Sequence, residues 1–212
     1  MKVKKSNWRK ANYRFFRDQF ESLPRNAKIL DVGSGKGTWR DFIPEFTHVD
    51  TLDDQSFPEV KFVHDLSRPL PFSDGAYDGI VLSNTLEHIP NTEELLKECY
   101  RVCKSGGMVI GSVPFIHPLH QAPRDFYRFT RYGLEFRLRQ AGWREVRVAA
   151  LGRPADAYLM IQNMFFAETA QGIVRVLWRI QRILNGFNPY LKKGAPPHDS
   201  ILCFGYGFTA KK

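Results

Sequence analysis

The chain has 212 residues, of which 43% are hydrophobic and 25% charged, so we expect one globular domain with a buried core rather than a disordered chain. The formal net charge of +9 leaves nucleic acid, an anionic membrane surface and an acidic substrate open as partners. The three cysteines are an odd number without CxxC spacing, which argues against a disulfide framework and against a zinc site.

In the first half of the chain, the pattern predicts strands alternating with helices. A helix is expected over residues 12–23, ended by Pro24, and another after the glycine-rich segment that follows the first strand, ending near Pro44. Strands are expected at residues 28–32, 46–49, 60–63 and 77–82. The last of these is dense in Ile, Val and Leu, as are parallel strands buried on both faces.

The alternation continues in the second half. A helix is expected to begin at Asn91, which can cap it, and to end at Gly106. A second helix is expected to begin at Thr130 and to end at Gly142. Strands are expected at residues 108–113, 144–149 and 201–209, with a helical insert over 153–198. The sequence thus predicts a doubly wound, Rossmann-like α/β fold whose seven-stranded sheet is mostly parallel and has helices on both faces.

The most informative segment follows the first strand, where Asp31 is succeeded by Gly33, Gly35 and Gly37 at alternate positions. Glycines there let bare backbone approach a ligand, which at the first strand of such a sheet is usually a nucleoside-containing cofactor. A phosphate loop would need Ser or Thr after Gly35-Lys36, and a dinucleotide loop would need a small residue where Thr38 stands. The spacing that remains is D-x-G-x-G-x-G.

A second feature of a nucleoside site is an acid at the end of the second strand. Asp50 is expected there, and its carboxylate could accept hydrogen bonds from both ribose hydroxyls. A solvated turn acid is the alternative interpretation of Asp50.

Further motifs follow in order: Asp65-Leu66 after the third strand, then Leu70-Pro71-Phe72, Tyr77-Asp78, Leu86-Glu87-His88, and Arg101 to Gly107. With the glycine segment, this order resembles class I S-adenosylmethionine-dependent methyltransferases of the small-molecule type, over about residues 28–148. Cys103 and Ser105 depart from the family's usual Leu and Pro in the last of these motifs.

The resemblance implies S-adenosyl-L-methionine as cofactor and gives the matching residues their roles. Gly33, Gly35 and Gly37 would let the backbone approach the cofactor, with Asp31 orienting their loop. The other implied contacts are Asp50 on the ribose, Asp65 and Leu66 at the adenine, and Ser83 and Asn84 at the methionine portion.

Candidates for proton transfer lie in two loops on the same side of the sheet. His88 follows the fourth strand, and His120 and Asp125 lie in a loop after the fifth strand that is rich in His, Arg and Tyr. We expect these three as catalytic residues, although each histidine could instead be a hydrogen-bonded structural residue. No residue set predicts a metal site.

Two basic segments bear on partners and location. Residues 1–17 carry seven Lys and Arg and no acid, and residues 172–185 predict a helix with an apolar face opposite Arg175, Arg179 and Arg182. That helix could cover the sheet, or contact anionic lipid or a lipid-linked substrate. With neither an apolar stretch after Met1 nor a run of roughly 20 apolar residues, a cytoplasmic protein is expected, with peripheral membrane contact left open.

The expected function is therefore methyl transfer to a small or lipid- or saccharide-linked acceptor within one domain. Its expected parts are a basic N-terminal helical segment (1–27), a cofactor-binding core (28–152), the insert (153–198) and a final strand (199–212). An RNA-modifying methyltransferase and an inactive cofactor-binding protein are the alternatives, although no RNA-binding module is recognisable and we expect no nucleic-acid partner.

Overall fold

The computed structural model describes residues 7–37, 48–169, 172, 176–177, 180–181, 183 and 202–212. The helices described are α1 (Asn7–Phe20), α2 (Thr92–Val102), α3 (Arg131–Gln140) and α4 (Pro154–Thr169), with a 3₁₀ turn at Leu86–His88. The strands are β1 (Lys28–Val32), β2 (His48–Asp53), β3 (Phe62–Val63), β4 (Tyr77–Ser83), β5 (Cys103–Pro114), β6 (Arg144–Leu151) and β7 (Gly205–Lys211). The predicted helix ending near Pro44 and most of the predicted insert after α4 lie outside the described residues.

All seven strands form one sheet in the order β3-β2-β1-β4-β5-β7-β6. The first five pair in parallel, and β7 runs antiparallel between β5 and β6. This confirms the predicted mostly parallel, doubly wound sheet. The order reverses between β1 and β4, and ligands of such sheets bind at the carboxyl ends of the strands at that reversal.

The sheet is buried on both faces, which explains its near-continuous apolar strands. On one face, Leu30 and Ile80 belong to a core that includes residues of α2 and α3. On the other, Ile29 and Val81 pack with Phe16 of α1. Neighbouring residues of one strand therefore belong to opposite cores, and the helices lie on both sides of the sheet as predicted.

The main correction to the predicted elements concerns β2, which ends at Asp53 rather than at residue 49. Its polar residues did not end the strand because their side chains have partners beside it. Thr51 Oγ1 accepts from the Lys61 backbone N–H at 2.9 Å and donates to the Glu59 carbonyl at 2.8 Å. A second correction concerns α1, which begins at Asn7, five residues before the start predicted from sequence.

Among the described residues, no helix combines the length and apolar character needed to cross a membrane.

Candidate active site

A cleft of about 1130 Å³ lies at the carboxyl ends of β1 and β4, where the strand order reverses. Its volume suits a nucleoside-sized ligand together with a second small molecule. We divide it into two parts. The glycine half is lined by Gly33, Gly35, Asp53, Leu66, Ser83 and Asn84, and the histidine half by Glu87, His88, His117 and His120.

Gly33 anchors the loop after β1 against the rest of the fold. Its φ of +72° lies in the left-handed region, and its N–H donates to the Leu52 carbonyl at 2.8 Å. A Cβ on Gly33 would lie 2.4 Å from Cγ2 of Thr85, whose Oγ1 donates to the Val32 carbonyl at 2.9 Å. Only glycine therefore fits this position without displacing Thr85.

Gly35 exposes its backbone to the cleft. Its φ is +49°, and a Cβ built on it would meet no atom within 4 Å. Its N–H donates to Asp53 Oδ2 at 2.8 Å, which holds the loop against the end of β2. A bare backbone beside a carboxylate fits a ligand that combines an apolar ring with hydroxyl groups, as a nucleoside does.

Asp53 is the acid at the end of β2, twenty residues after Gly33. Burial raises the pKa of Asp53, and hydrogen bonds from the backbone N–H groups of Gln55 and Gly35 oppose that rise. The position and spacing match those of the acids that bind ribose hydroxyls in related nucleotide folds. Sequence reasoning missed Asp53 because it ended β2 too early; the spacing from Gly33 was the signal that could have found it.

Asp50 was expected at this place, and the structure contradicts that expectation. It lies in the middle of β2, paired in register with Leu30, and does not line the cleft. Its carboxylate lies 3.2 Å from Lys61 Nζ and accepts from Tyr77 Oη at 3.1 Å. Burial alone would raise the pKa of Asp50, but the bonds from Lys61 and Tyr77 outweigh burial and keep it below its usual range.

Three other residues expected at the cofactor lie away from the cleft wall. Asp31 is fully buried within β1. Asp65 is exposed, and its Oδ1 accepts from the backbone N–H of Ser67 at 2.9 Å and from its hydroxyl at 2.6 Å. Hydrogen bonds from Ser67 hold the pKa of Asp65 below its usual range, so this carboxylate already stabilises a turn. Gly37, with a φ of +61°, also does not line the cleft.

At the far end of the glycine half, the end of β4 faces the cleft as expected. Ser83 and Asn84 both line it, and Asn84 has a φ of +54°. The Asn84 N–H donates to the Ser112 carbonyl at 2.9 Å, and the Ser112 hydroxyl donates to Asn84 Oδ1 at 3.3 Å. β5 therefore holds the Asn84 side chain in place.

The histidine half joins two segments that are distant in the chain. The 3₁₀ turn after β4 contributes Glu87 and His88, and residues 115–130, hereafter the β5–α3 loop, contribute His117 and His120. The rings of His88 and His120 have centroids 4.8 Å apart, and those of His117 and His120 lie 4.7 Å apart. The backbone N–H of Phe126 donates to the Glu87 carbonyl at 2.8 Å, which ties the two segments together.

Glu87 has a fully buried side chain, and neither carboxylate oxygen has a hydrogen-bond donor in another described residue. Burial is the largest cause that raises the pKa of Glu87, to about 8. His88 Nε2 lies 3.8 Å from Glu87 Oε1, too far for a hydrogen bond. A buried carboxylate in this state is costly, and such groups are typical of functional sites.

Asp125 lies behind His120 rather than at the cleft. Its carboxylate accepts from Arg128 at 2.6 and 2.8 Å and from the His120 backbone N–H at 2.9 Å. These hydrogen bonds, led by Arg128, hold its pKa well below the usual range. Burial lowers the pKa of His120 despite the nearby Asp125, so a neutral imidazole is favoured at the cleft.

The N-terminal helix also contributes to the cleft, which sequence reasoning did not predict. Trp8, Asn12 and Phe16 of α1 line it, and the Trp8 ring has its centroid 6.4 Å from that of His117. The aromatic residues interleaved in the basic segment were the signal that could have been followed.

Known proteins resemble this chain in sequence. The model of a family described as "Methyltransferase domain" matches residues 6–147. Demethylmenaquinone methyltransferase of Lysinibacillus sphaericus (strain C3-41) is 32% identical over 100 residues, which cover 40% of this chain and 43% of that protein. The protein of the same name from Staphylococcus aureus (strain JH9) is 31% identical over 119 residues, covering 49% and 47%. The chain spans about half the length of these curated relatives.

Solved structures share the fold. A SAM-dependent methyltransferase from Archaeoglobus fulgidus has a TM-score of 0.62 at 21% identity, covering 96% of this chain and 92% of that one. Phosphoethanolamine N-methyltransferase 2 of Haemonchus contortus, in complex with S-adenosyl-L-methionine, has a TM-score of 0.59 at 17% identity, covering 97% and 52%. These similarities show the fold.

Proposed function

The chain belongs to the class I S-adenosylmethionine-dependent methyltransferases, and from this premise we propose that it transfers the methyl group of S-adenosyl-L-methionine to a small-molecule acceptor. The observation that carries the proposal is the bare backbone of Gly35, held by the Asp53 carboxylate at the sheet's reversal point. A ligand with an adenosine group fits this arrangement because the ribose hydroxyls have an acceptor and the ring has an unobstructed surface.

In this proposal, the glycine half binds the methyl donor. The backbone of Gly33 and Gly35 lies against it, and Asp53, rather than Asp50, accepts from the ribose hydroxyls. Gly37, which does not line the cleft, would act only through the conformation of the loop. Asp31, buried in β1, supports the loop from within the sheet.

The same half would hold both ends of the donor. Leu66, only 5% exposed, packs on the adenine, while Asp65 as acceptor from its amine stays a prediction. Ser83 and Asn84 contact the methionine portion.

The histidine half would bind the acceptor. When bound, the donor supplies an electrophilic sulfonium methyl, so the protein's own residues need to orient the acceptor, exclude water and remove a proton. His88 and His120, which line the cleft, are proposed to orient the acceptor and to remove its proton. Asp125 is proposed to position His120 rather than to contact the acceptor, because Arg128 and the His120 backbone occupy its carboxylate.

The acceptor class is proposed from the names of the relatives and from exposed apolar residues of the insert. The curated relatives are named for demethylmenaquinone, a quinone, and we propose a quinone-like or lipid-linked small molecule here. Val176, Leu177, Ile180 and Ile183, apolar positions of the predicted amphipathic helix, are 49–61% exposed. Such a surface supports peripheral contact with anionic membrane.

Flotation with anionic and neutral vesicles at low salt tests this membrane contact, and equal binding to both kinds of vesicle would contradict it.

Two experiments test the activity. Calorimetry with S-adenosylhomocysteine should give one site per chain, and Gly35→Val should lose at least about 10² in affinity, because its side chain enters the cleft and its φ favours glycine. Unchanged affinity would place the cofactor elsewhere.

Transfer of labelled methyl into fractionated lysate of the source cell, with mass spectrometry of the product, identifies the acceptor. A labelled RNA product would replace the small-molecule proposal with the RNA-modifying alternative.

A further inference from the structure

The Glu87 carboxylate is the feature of the cleft that methyl transfer alone leaves unexplained. It is fully buried, lines the cleft and receives no hydrogen bond from any other described residue. Buried polar groups nearly always have partners, so an isolated one points to a water or an ion. Arg128 does not supply the missing partner, because its guanidinium makes a bidentate pair with Asp125.

Two imidazoles share the space in front of this carboxylate. One ligand atom each from Glu87, His88 and His120 lies within 4.8 Å of the other two. Ligands of a zinc-sized ion sit about 2.0–2.2 Å from it and hence roughly 3–3.5 Å apart. Side-chain adjustments of about 1 Å would therefore bring the three atoms into a coordination sphere.

The tautomer of His88 favours metal coordination. Its Nδ1 lies 2.5 Å from the Arg124 carbonyl oxygen, which can only accept, so Nδ1 carries the proton. In the neutral ring, Nε2 then has a free lone pair, and it is buried without a hydrogen-bond partner among the described residues. A hydrogen bond from the other ring nitrogen to a backbone carbonyl is the usual arrangement behind metal-binding histidines.

We propose that Glu87, His88 and His120 bind one divalent first-row transition-metal ion in the histidine half of the cleft. One carboxylate and two imidazoles are a donor set that suits Zn²⁺, Mn²⁺, Fe²⁺ or Co²⁺ rather than Ca²⁺ or Mg²⁺. Three protein ligands leave positions open toward the cleft, where an oxygen of the acceptor can complete the coordination sphere. With the ion bound, His88 and His120 would act as ligands rather than as bases, and the ion would favour loss of the acceptor's proton by lowering the pKa of the bound oxygen. This revises the expectation from sequence that no metal site is present.

The ion-binding site itself does not depend on the proposed function; only its role toward the acceptor rests on it. The test is therefore made with metal alone. Full-length protein, without an affinity tag and stripped with chelator, is titrated with Zn²⁺ by calorimetry and with Co²⁺ by visible absorption. We expect one ion per chain at micromolar affinity or tighter, and Co²⁺ ligand-field bands of a site containing imidazole nitrogen.

Variants identify the ligands. Glu87→Gln and His120→Gln should each weaken Zn²⁺ binding at least about 100-fold and alter or abolish the Co²⁺ bands. His48→Gln is the matched control, because His48 is an exposed histidine on β2 away from the cleft, and it should bind as the wild type does. Binding of S-adenosylhomocysteine by each variant reports that its glycine half is folded. His120 lies on a loop and is 25% exposed at its side chain, so His120→Gln serves if Glu87→Gln fails to fold.

Stoichiometric binding in the wild type that is lost in a variant which still binds S-adenosylhomocysteine supports the site. Absence of binding in the wild type, or equal binding by His120→Gln, overturns it. Metal binding without binding of S-adenosylhomocysteine would leave the metal site standing and reject the proposed function instead.

Discussion

The two halves of the cleft are built in different ways. The glycine half consists largely of backbone at the ends of adjacent strands, and its geometry is held by main-chain bonds such as Gly33 N–H to the Leu52 carbonyl. The histidine half consists of side chains from a 3₁₀ turn and a long loop, joined by bonds such as Phe126 N–H to the Glu87 carbonyl. The first can therefore stay the same across acceptors, whereas the second can change with the loop that supplies it.

The largest effect expected from this difference concerns Gly33. Gly33→Val should reduce the free energy of unfolding by about 2–5 kcal/mol, because the side chain would overlap Thr85 and the φ of +72° is strained for a branched residue. Urea unfolding followed by circular dichroism measures it. His117→Ala, a substitution in the histidine half, is the comparison and should cost much less. Equal losses would show that both halves depend equally on side-chain packing.

The next effect distinguishes the two acids of β2. Asp53→Ala should weaken S-adenosylhomocysteine binding about 10- to 100-fold, because charge-assisted hydrogen bonds are lost. Asp50→Ala should leave that affinity within about twofold, since its carboxylate pairs with Lys61 and Tyr77 outside the cleft. Calorimetry on both variants decides; a larger loss for Asp50→Ala would restore the assignment made from sequence.

A third prediction concerns support of the glycine half at a distance. The Arg101 guanidinium donates to the Glu98 carboxylate at 2.7 and 2.9 Å. It also donates to the backbone carbonyls of Leu70 and Phe72, which lie in the segment after Leu66. The hydrogen bond from Arg101 is the main reason why the pKa of Glu98 is lowered. A lowered carboxyl pKa stabilises the fold above the unfolded value of about 4.3, and this contribution is lost as pH falls below it.

Glu98→Gln should therefore reduce the unfolding free energy by about 1 kcal/mol near neutral pH, and the difference from wild type should shrink toward zero below about pH 4. Urea titrations across that range measure it. Glu94→Gln, an exposed acid on the same helix, is the control and should change little at any pH. A difference that grows on acidification would contradict the predicted direction.

The smallest effect is expected at α1. Trp8→Ala should raise the KM for the acceptor about three- to fivefold and leave S-adenosylhomocysteine affinity unchanged, because Trp8 lies beside His117. Steady-state kinetics with the identified acceptor and calorimetry check the two quantities. A loss confined to donor affinity would move α1 from the histidine half to the glycine half.

Much of the fold and of the glycine half could be predicted, because each signal lies within one short segment. The apolar run of β4 and the alternate glycines after Asp31 each determine a local conformation. The end of β2 could not be located in this way, because Asp50 and Thr51 are polar residues whose partners come from other segments. This early end to the strand was enough to select Asp50 in place of Asp53.

The alternation of strands and helices, the glycine loop and the family all follow from local sequence patterns. Only the folded chain shows which acid lines the cleft, that Glu87 is buried beside His88 and His120, and that Trp8 lines the same cleft. The physical reason is how far apart in the chain the interacting residues lie. Backbone conformation and hydrophobic periodicity are set by neighbouring residues, whereas the meeting of side chains that are distant in the chain depends on the path of a loop and on the packing that holds it.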